Sequence, residues 1–452
     1  MSGDAAARAY DCDAYTVHRR YPNAIVFPRS TDDVRWVVQF CCAEGVPFTP
    51  RGAGTGLSGG SLPALGGVLI VLTKMRRILS IDPENRTMRA EVGCPNLSLT
   101  KAAAPYGLHF APDPSSQTVC TLGGNISENS GGPHTLKYGV TSDHVLAVRL
   151  IDPQGEEHEI TSGFGYDILG LIVGGEGTLG IVTEATVRLT PTPQHVRTLL
   201  LAFPDPRNAT ETVSAIIASG LIPAAMEFMD ATILHAVEAA FHTGLPTDAG
   251  ALLLVECDSD DAERVQRESD LVQRIAREHM AMEIRTAQNE EDRAKLWIAR
   301  KKGIGAIGRL SPSMVTHDGV IPRSKLPEVL EFVYKSAADA GLRVANIFHA
   351  GDGNLHPILL FDDRDEDQVR KVVEVGERIM RLCLELGGSV TGEHGIGVEK
   401  IDLLGEMFTP ADLKLQEDIK RVFNTNGLCN PGKVLPSEKS CVEIKLKNRI
   451  AW

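Results

Sequence analysis

An α+β protein of two domains is what this sequence predicts, and two observations carry the prediction. Before residue 190, short apolar segments punctuated by Gly, Pro and Asn are separated by long polar connections, which reads as short strands. Past the cluster Pro191-Thr192-Pro193 the texture changes to two rounds of strand and helix. Two such rounds fit an antiparallel sheet covered on one face by helices. The boundaries are placed at 1–195 for the first domain and 196–436 for the second, with 437–452 as a tail.

The elements follow in order. Over 30–44, Ser30, Thr31, Asp32 and Asp33 precede Val34, Val37, Val38 and Cys41 on one stripe, and Gly45 follows: a capped amphipathic helix. Strands are expected at 68–72, 88–92 and 145–151, and the alternating IVTEATVRL at 181–189 reads as a half-buried strand. The second domain is expected to run strand 197–203, helix 209–219, strand 251–256 and helix 261–279. A second round follows as helix 324–340, strands 344–349 and 356–361, and helix 368–386. No short-period repeat or low-complexity tract interrupts it.

At 452 residues with 43% hydrophobic content the chain has material for proper cores. Its formal charge of -13 is spread along the sequence, which argues against a protein that tracks nucleic-acid phosphates. The longest apolar runs, 68–72 and 251–255, fall far below the roughly 20 residues that span a bilayer, so no transmembrane segment is expected. The opening MSGDAAARAYDCDAY lacks the apolar stretch of a secretory signal, which points to the cytoplasm. Nine cysteines, odd in number and without a C-x-x-C pair, read as reduced and mostly buried thiols.

The run RGAGTGLSGG at 51–60 contains GTGLSG, which satisfies G-x-G-x-x-G. A dinucleotide-binding Rossmann turn needs a preceding strand, a helix directly after it and an acid about 20 positions on. Here 46–49 can be the strand, but six of the twelve residues in GLSGGSLPALGG are Gly or Pro, and Lys74 stands where the acid is wanted. The alternative is a loop whose glycines turn successive backbone N–H groups toward a phosphate. Two further stretches share this character: PDPSSQTVCTLGGNISENSGGPHTLKY at 112–138, too long for a mere connection, and GGEGTLGIV at 174–182. Three such loops from one domain suggest a large polar ligand carrying a pyrophosphate.

With HAGDGNLHP, GEHGIG and NPGK downstream, in this order, these motifs resemble the FAD-linked oxidases of the vanillyl-alcohol oxidase (PCMH-type) flavin fold. The likeness runs from about Tyr10 to Pro436 and leans to the branch that oxidises glycolate and D-lactate. It implies a two-part FAD-binding domain and an α+β substrate (cap) domain, its antiparallel sheet covered by helices and its last part returning to the flavin. It places Arg51, Gly52, Gly54, Thr55, Gly56 and Ser58 around the pyrophosphate of non-covalent FAD. Pro112, Asp113, Ser116, Gly123, Gly124 and Asn129 would line the cofactor further along, with Gly180 and Val182 on the adenine side and Asn430 reaching the flavin.

His349 and His356 bracket AGDGNL, and the Asp352-Gly353 turn signal lets both histidines face one space. Taken alone, such a pair is more commonly two ordinary hydrogen-bonded side chains. The resemblance implies that His349, His356 and Glu393 bind a divalent cation, zinc, iron or manganese, and that His394 is the base. It also favours Arg300, in WIARKK, as the clamp for a substrate carboxylate, while Lys301 and Lys302 read as solvated. The expected reaction is oxidation of a small 2-hydroxy acid, glycolate or D-lactate, to the 2-oxo acid, by metal-assisted proton removal and hydride transfer to flavin N5. In MVTHDGVIP, Thr316 and His317 stand where relatives acting on 2-hydroxyglutarate carry a lysine, which favours the smaller acids.

Competing readings are a D-2-hydroxyglutarate dehydrogenase, a metal-dependent hydrolase using the same cluster, and a non-catalytic flavoprotein scaffold. The hydrolase leaves three glycine loops without a purpose, and the scaffold would tolerate loss of His394. Reoxidation implies a redox partner. The resemblance suggests a second flavin-fold subunit with an iron–sulfur subunit that brings the assembly to the membrane periphery, or else an electron-transfer flavoprotein or a quinone. The chain opens later than is usual for that family, so a segment that contacts a partner is expected to lie outside it.

Overall fold

The computed structural model describes residues 8–163 and 165–436, so the expected tail at 437–452 lies outside the described residues. Over those residues the chain forms two compact units: residues 8–131, 139–192 and 393–436 make the first, 132–138 and 193–392 the second. The change of unit at Thr192 to Pro193 falls inside the proline cluster.

In the first unit, β1 (Ala24–Val26), β2 (Phe48–Arg51) and β3 (Val68–Val71) form a parallel sheet in the order β1-β3-β2. Helix α1 (Thr31–Glu44) links the first two. Ser30 caps it by accepting from the Asp33 amide, and Gly45 ends it in the left-handed conformation at φ 64°. Its stripe of Val34, Val38 and Cys41 packs with Phe48, Ile70 and Cys429. A second sheet, all antiparallel, consists of β4 (Ile78–Asp82), β5 (Thr87–Glu91), β6 (Val145–Ile151), β7 (Glu157–Thr161) and β8 (Ile181–Arg188), in the order β4-β5-β8-β6-β7. Strand β8 alternates buried and half-buried positions, as its sequence pattern demands. Helix α2 (Asn96–Ala103) inserts Leu99 and Ala103 into the core of this sheet. The polar stretch at 112–138 is not wholly irregular: it contains α3 (Leu122–Glu128), capped by Thr121, and a helical turn at Thr135–Tyr138.

In the second unit nine antiparallel strands form one sheet: β9 (His195–Phe203), β10 (Ala225–Asp230), β11 (Ala251–Ser259), β12 (Glu283–Thr286), β13 (Ser313–Thr316), β14 (Gly319–Val320), β15 (Arg343–His349), β16 (Asn354–Leu355) and β17 (Pro357–Phe361). The order is β12-β9-β11-β10-β15-β16-β14, with β17 pairing both β15 and β13. The single-face cover expected from sequence is corrected: β10 is buried at every position and β11 at all but its last. Leu252 and Leu254 pack with the helices Ala231–Phe241 and Glu290–Ile307, while Leu253 and Val255, of opposite parity, are equally buried. The continuous apolar run ALLLV, rather than an alternating one, is the sequence mark of a strand covered on both faces.

The heptapeptide Gly132–Tyr138 is fastened to this sheet by two acids of β11. Glu256 accepts from Thr198 Oγ1 at 2.5 Å, from Trp297 Nε1 at 2.9 Å and from Arg293 Nε at 2.9 Å, and meets His134 Nε2 at 3.2 Å. Asp258 pairs with Lys137 and accepts from the Tyr138 hydroxyl at 2.6 Å. Burial pushes the Glu256 carboxyl up, but the hydrogen bonds from His134 and Arg293 outweigh it and hold the group well below the usual carboxylate range. A depressed folded value means that this stabilisation is present above the unfolded carboxyl range and fades as pH falls below it. Replacing Glu256 by Ala is therefore expected to cost about 3–5 kcal/mol in urea unfolding followed by circular dichroism at neutral pH. The gap to the parent protein should narrow between about pH 5 and about pH 2.

Candidate functional site

In the first unit the glycine loop leaves β2 at Arg51. Arg51 is 7% exposed; its guanidinium donates to the Cys12 carbonyl at 2.8 Å and lies 5.4 Å from the centroid of the Tyr10 ring. Gly54, at φ 74°, folds directly over this guanidinium, where any side chain would collide with it. Gly52 presses on the start of α3: a Cβ there would stand 2.5 Å from Thr121 Oγ1, the atom that caps the Gly124 amide. The loop at 51–60 and the segment holding Gly123 and Gly124 thus meet backbone to backbone. Gly56 accepts from the Ala14 amide, beside Thr55.

Other positions singled out in the sequence build the same framework. The Ser58 carbonyl accepts from the Val398 amide at 2.9 Å, and Glu176 accepts from the Ile396 and Gly397 amides at 2.6 and 2.7 Å, so the segment 396–398 at the end of GEHGIG is sewn to two of the glycine loops. Asn430 is fully buried and donates to the Glu176 and Gly60 carbonyls at 2.7 and 3.0 Å, while its oxygen accepts from Lys433. Its side-chain amide thus ties these loops together. Asn129 ends α3 in the left-handed region and accepts from the Ser142 amide at 2.8 Å; the Pro112 carbonyl accepts from Asn96. Asp113 and Ser116 are half-buried in the loop ahead of Cys120. Gly180 and Val182 open β8 against Leu150 and Ile151.

This framework suits a large polar ligand. The Ser58 hydroxyl is buried without a hydrogen-bond partner, so polar capacity is left for one. Buried charges ring the loops. Desolvation lifts Asp13 to about 6 and lowers Lys433 to about 8, and burial together with the neighbouring Glu176 raises the Glu128 carboxyl. Burial also raises the Cys120 thiol. Glu393 and His394 belong to this unit. Both are nearly buried, the Glu393 carboxylate accepts from the Gly131 amide at 3.0 Å, and the His394 ring stands 3.9 Å from it.

In the second unit, His349 closes β15 and His356 follows β16; the two imidazoles are 5.2 Å apart, edge to face. Gly353, at φ 73°, turns the chain between them. Each ring has a carboxylate beside it. Glu227 on β10 lies directly across from His349 in the sheet register and meets its Nδ1 at 2.8 Å, while its other oxygen pairs with Arg300 Nε. Asp318 stands 3.8 Å from His356 Nδ1 and accepts from Thr391 Oγ1 and the Gly392 amide at 2.7 and 2.9 Å. All of these acids are completely buried. Two imidazoles with carboxylates close by are a donor set that suits a divalent cation.

Arg300 is buried and tied to Glu227, whereas Lys301 and Lys302 are exposed. Thr316 and His317 are buried, and the His317 ring lies against Gly376 in the helix Glu366–Glu385. Sequence reasoning passed over Glu227 and Asp318. The first had a signal, an acid inside the apolar run AMEFM; the second was hidden in an Asp-Gly turn.

Comparison with known proteins agrees with this geometry. Residues 22–161 match the FAD binding domain family, and residues 192–434 match the family of FAD linked oxidases, C-terminal domain. The glycolate oxidase subunit GlcD of Escherichia coli K12 is 42% identical over 438 residues, covering 96% of this chain and 88% of that protein. A D-lactate dehydrogenase of Anaerostipes hadrus is 33% identical, covering 96% and 94%. The solved structure of 4-ethylphenol oxidase from Gulosibacter chungangensis superposes with a TM-score of 0.79 at 18% identity, covering 96% and 94%, which speaks to the fold alone. The fold is thus the two-part flavin fold of the vanillyl-alcohol oxidase type, and the chain belongs to the family of FAD-linked oxidases.

Proposed function

We propose that the protein oxidises a small 2-hydroxy acid, glycolate or D-lactate, to the 2-oxo acid. The observation that carries this reading is the buried pair of imidazoles, His349 and His356, each backed by a carboxylate, in a chain of an FAD-linked oxidase family. The relatives named glycolate oxidase subunit and D-lactate dehydrogenase support the substrate class. The loops carrying Arg51, Gly52, Gly54, Thr55, Gly56, Ser58, Gly123 and Gly124 would hold the FAD, with Pro112, Asp113, Ser116, Asn129, Gly180, Val182 and Asn430 shaping its surroundings. The raised Cys120 thiol favours a non-covalent cofactor, since the thiolate is the nucleophile.

His349, His356 and Glu393 would hold a divalent cation of the zinc, iron or manganese kind. Glu393 and His394 come directly after Gly392, whose amide is fixed on Asp318. When bound, the flavin supplies the hydride acceptor and the cation a Lewis acid. The chain's own residues do the rest. The Arg300 guanidinium, held through Nε by Glu227, is the planar fork that would clamp a substrate carboxylate. The His394 imidazole accepts the hydroxyl proton.

Electrons then leave to a partner: a second flavin-fold subunit with an iron–sulfur subunit, an electron-transfer flavoprotein or a quinone. That the E. coli relative is named a subunit favours an assembly. No described helix is long and apolar enough to cross a membrane.

Anaerobic addition of glycolate or D-lactate to the yellow holoprotein is expected to bleach the flavin band. A band that stays unchanged with both acids, or bleaches only with D-2-hydroxyglutarate, would refute the substrate assignment. Replacing His394 by Ala is expected to slow flavin reduction about 10²–10⁴-fold in stopped-flow measurements while flavin content is unchanged. Replacing Arg300 by Met should raise KM for the hydroxy acid by about tenfold or more, as befits loss of a charge-assisted hydrogen bond.

A further inference from the structure

Glu227 has no part in the chemistry above, yet it is the one acid on β10 that faces both functional groups of its unit. Its two oxygens are divided between them: one meets His349 Nδ1 at 2.8 Å, the other Arg300 Nε. The arrangement is built into the fold. Antiparallel register sets Glu227 opposite His349, and Gly303, one turn beyond Arg300, presses its bare Cα against Ile347 of β15, which brings the Arg300 helix down onto the same strand pair. Glu227 is completely buried, and Arg300 and His349 are 4% and 3% exposed, so water does not share these bonds.

A carboxylate only accepts hydrogen bonds, and arginine only donates them. Arginine keeps its charge, and a buried guanidinium needs a buried counter-charge, so Glu227, paired with Arg300 Nε, is the anion of that pair. Against an anionic acceptor, His349 must carry its proton on Nδ1, which leaves the lone pair on Nε2.

We propose that Glu227 is a positioning residue that sets two groups at once: it locks His349 in the tautomer whose Nε2 binds the cation, and it aims the Arg300 fork at the substrate carboxylate. The inference rests on His349 being a metal ligand.

Glutamine at 227 keeps the volume but reverses one bond. Its single acceptor oxygen must face Arg300, so its NH₂ faces His349 Nδ1, which then has to accept, and the proton moves to Nε2, where it blocks coordination. Aspartate loses a methylene but keeps the charge. A tautomer role and a packing role therefore rank the two variants in opposite order.

The test is a titration of the chelator-stripped, flavin-loaded protein with Zn²⁺ against a chromophoric chelator. Zinc is a suitable probe because it binds such N/O sites more tightly than divalent manganese or iron whichever metal is native. Glu227→Gln is expected to weaken zinc binding about 10–100-fold at unchanged flavin content, and Glu227→Asp by no more than about threefold. A neutral amide oxygen holds Arg300 less firmly than a carboxylate, so at saturating metal KM for the hydroxy acid should also rise in E227Q. Zinc affinity kept in E227Q overturns the inference, as does a larger loss in E227D than in E227Q. Should E227Q not fold, E227D decides alone, a loss of about tenfold or more counting against. His349→Ala separates the two layers: if it too binds zinc like the parent, the ligand reading fails; if it alone loses zinc, only the role of Glu227 fails.

Discussion

Burying a charge in an apolar sheet is tolerable only when its partners are buried with it, and this constraint shapes the second unit. Its sheet is covered on both faces, so every polar group on an inner strand needs an internal match. Glu227 finds Arg300 and His349; Asp318 finds Thr391 and the Gly392 amide; Glu256 finds Arg293, Trp297, Thr198 and His134. The price of that burial fixes side chains that solvent would leave free to rotate. A pair of histidines that the sequence alone leaves ambiguous becomes, in this setting, a rigid donor set.

The first unit meets a different demand. Its glycines let backbone approach backbone, so that Gly52 touches Thr121 and Gly54 closes over Arg51. Around them Glu176, Asn430 and Lys433 spend their polar atoms on loop carbonyls and amides. The loops that would hold the cofactor are therefore ordered by internal bonds, and an ordered loop loses less conformational entropy when a ligand binds.

Much of this was legible in the sequence wherever local rules govern. Helix α1 announced itself through Ser30, the valine stripe and Gly45, and β8 through strict alternation. The Asp352-Gly353 signal located the turn that brings His349 and His356 together. What escaped was non-local. Whether a sheet is covered on one face or two depends on what packs against it, although the unbroken ALLLV run was a clue. Glu227 and Asp318 acquire meaning only when strands distant in sequence become neighbours, and Asn430 reads as a turn residue until its amide is seen to join Gly60 and Glu176. Residue identity foretold the chemistry better than it foretold which atoms each side chain would spend on the fold.

The central claim is that the imidazoles of His349 and His356 are poised to coordinate a cation, and anomalous diffraction from zinc-loaded holoprotein crystals tests it most directly. The account predicts a single strong peak about 2.0–2.1 Å from Nε2 of His349 and at a similar distance from a ring nitrogen of His356. A peak elsewhere, or bound zinc that leaves both imidazoles uncoordinated, would contradict it.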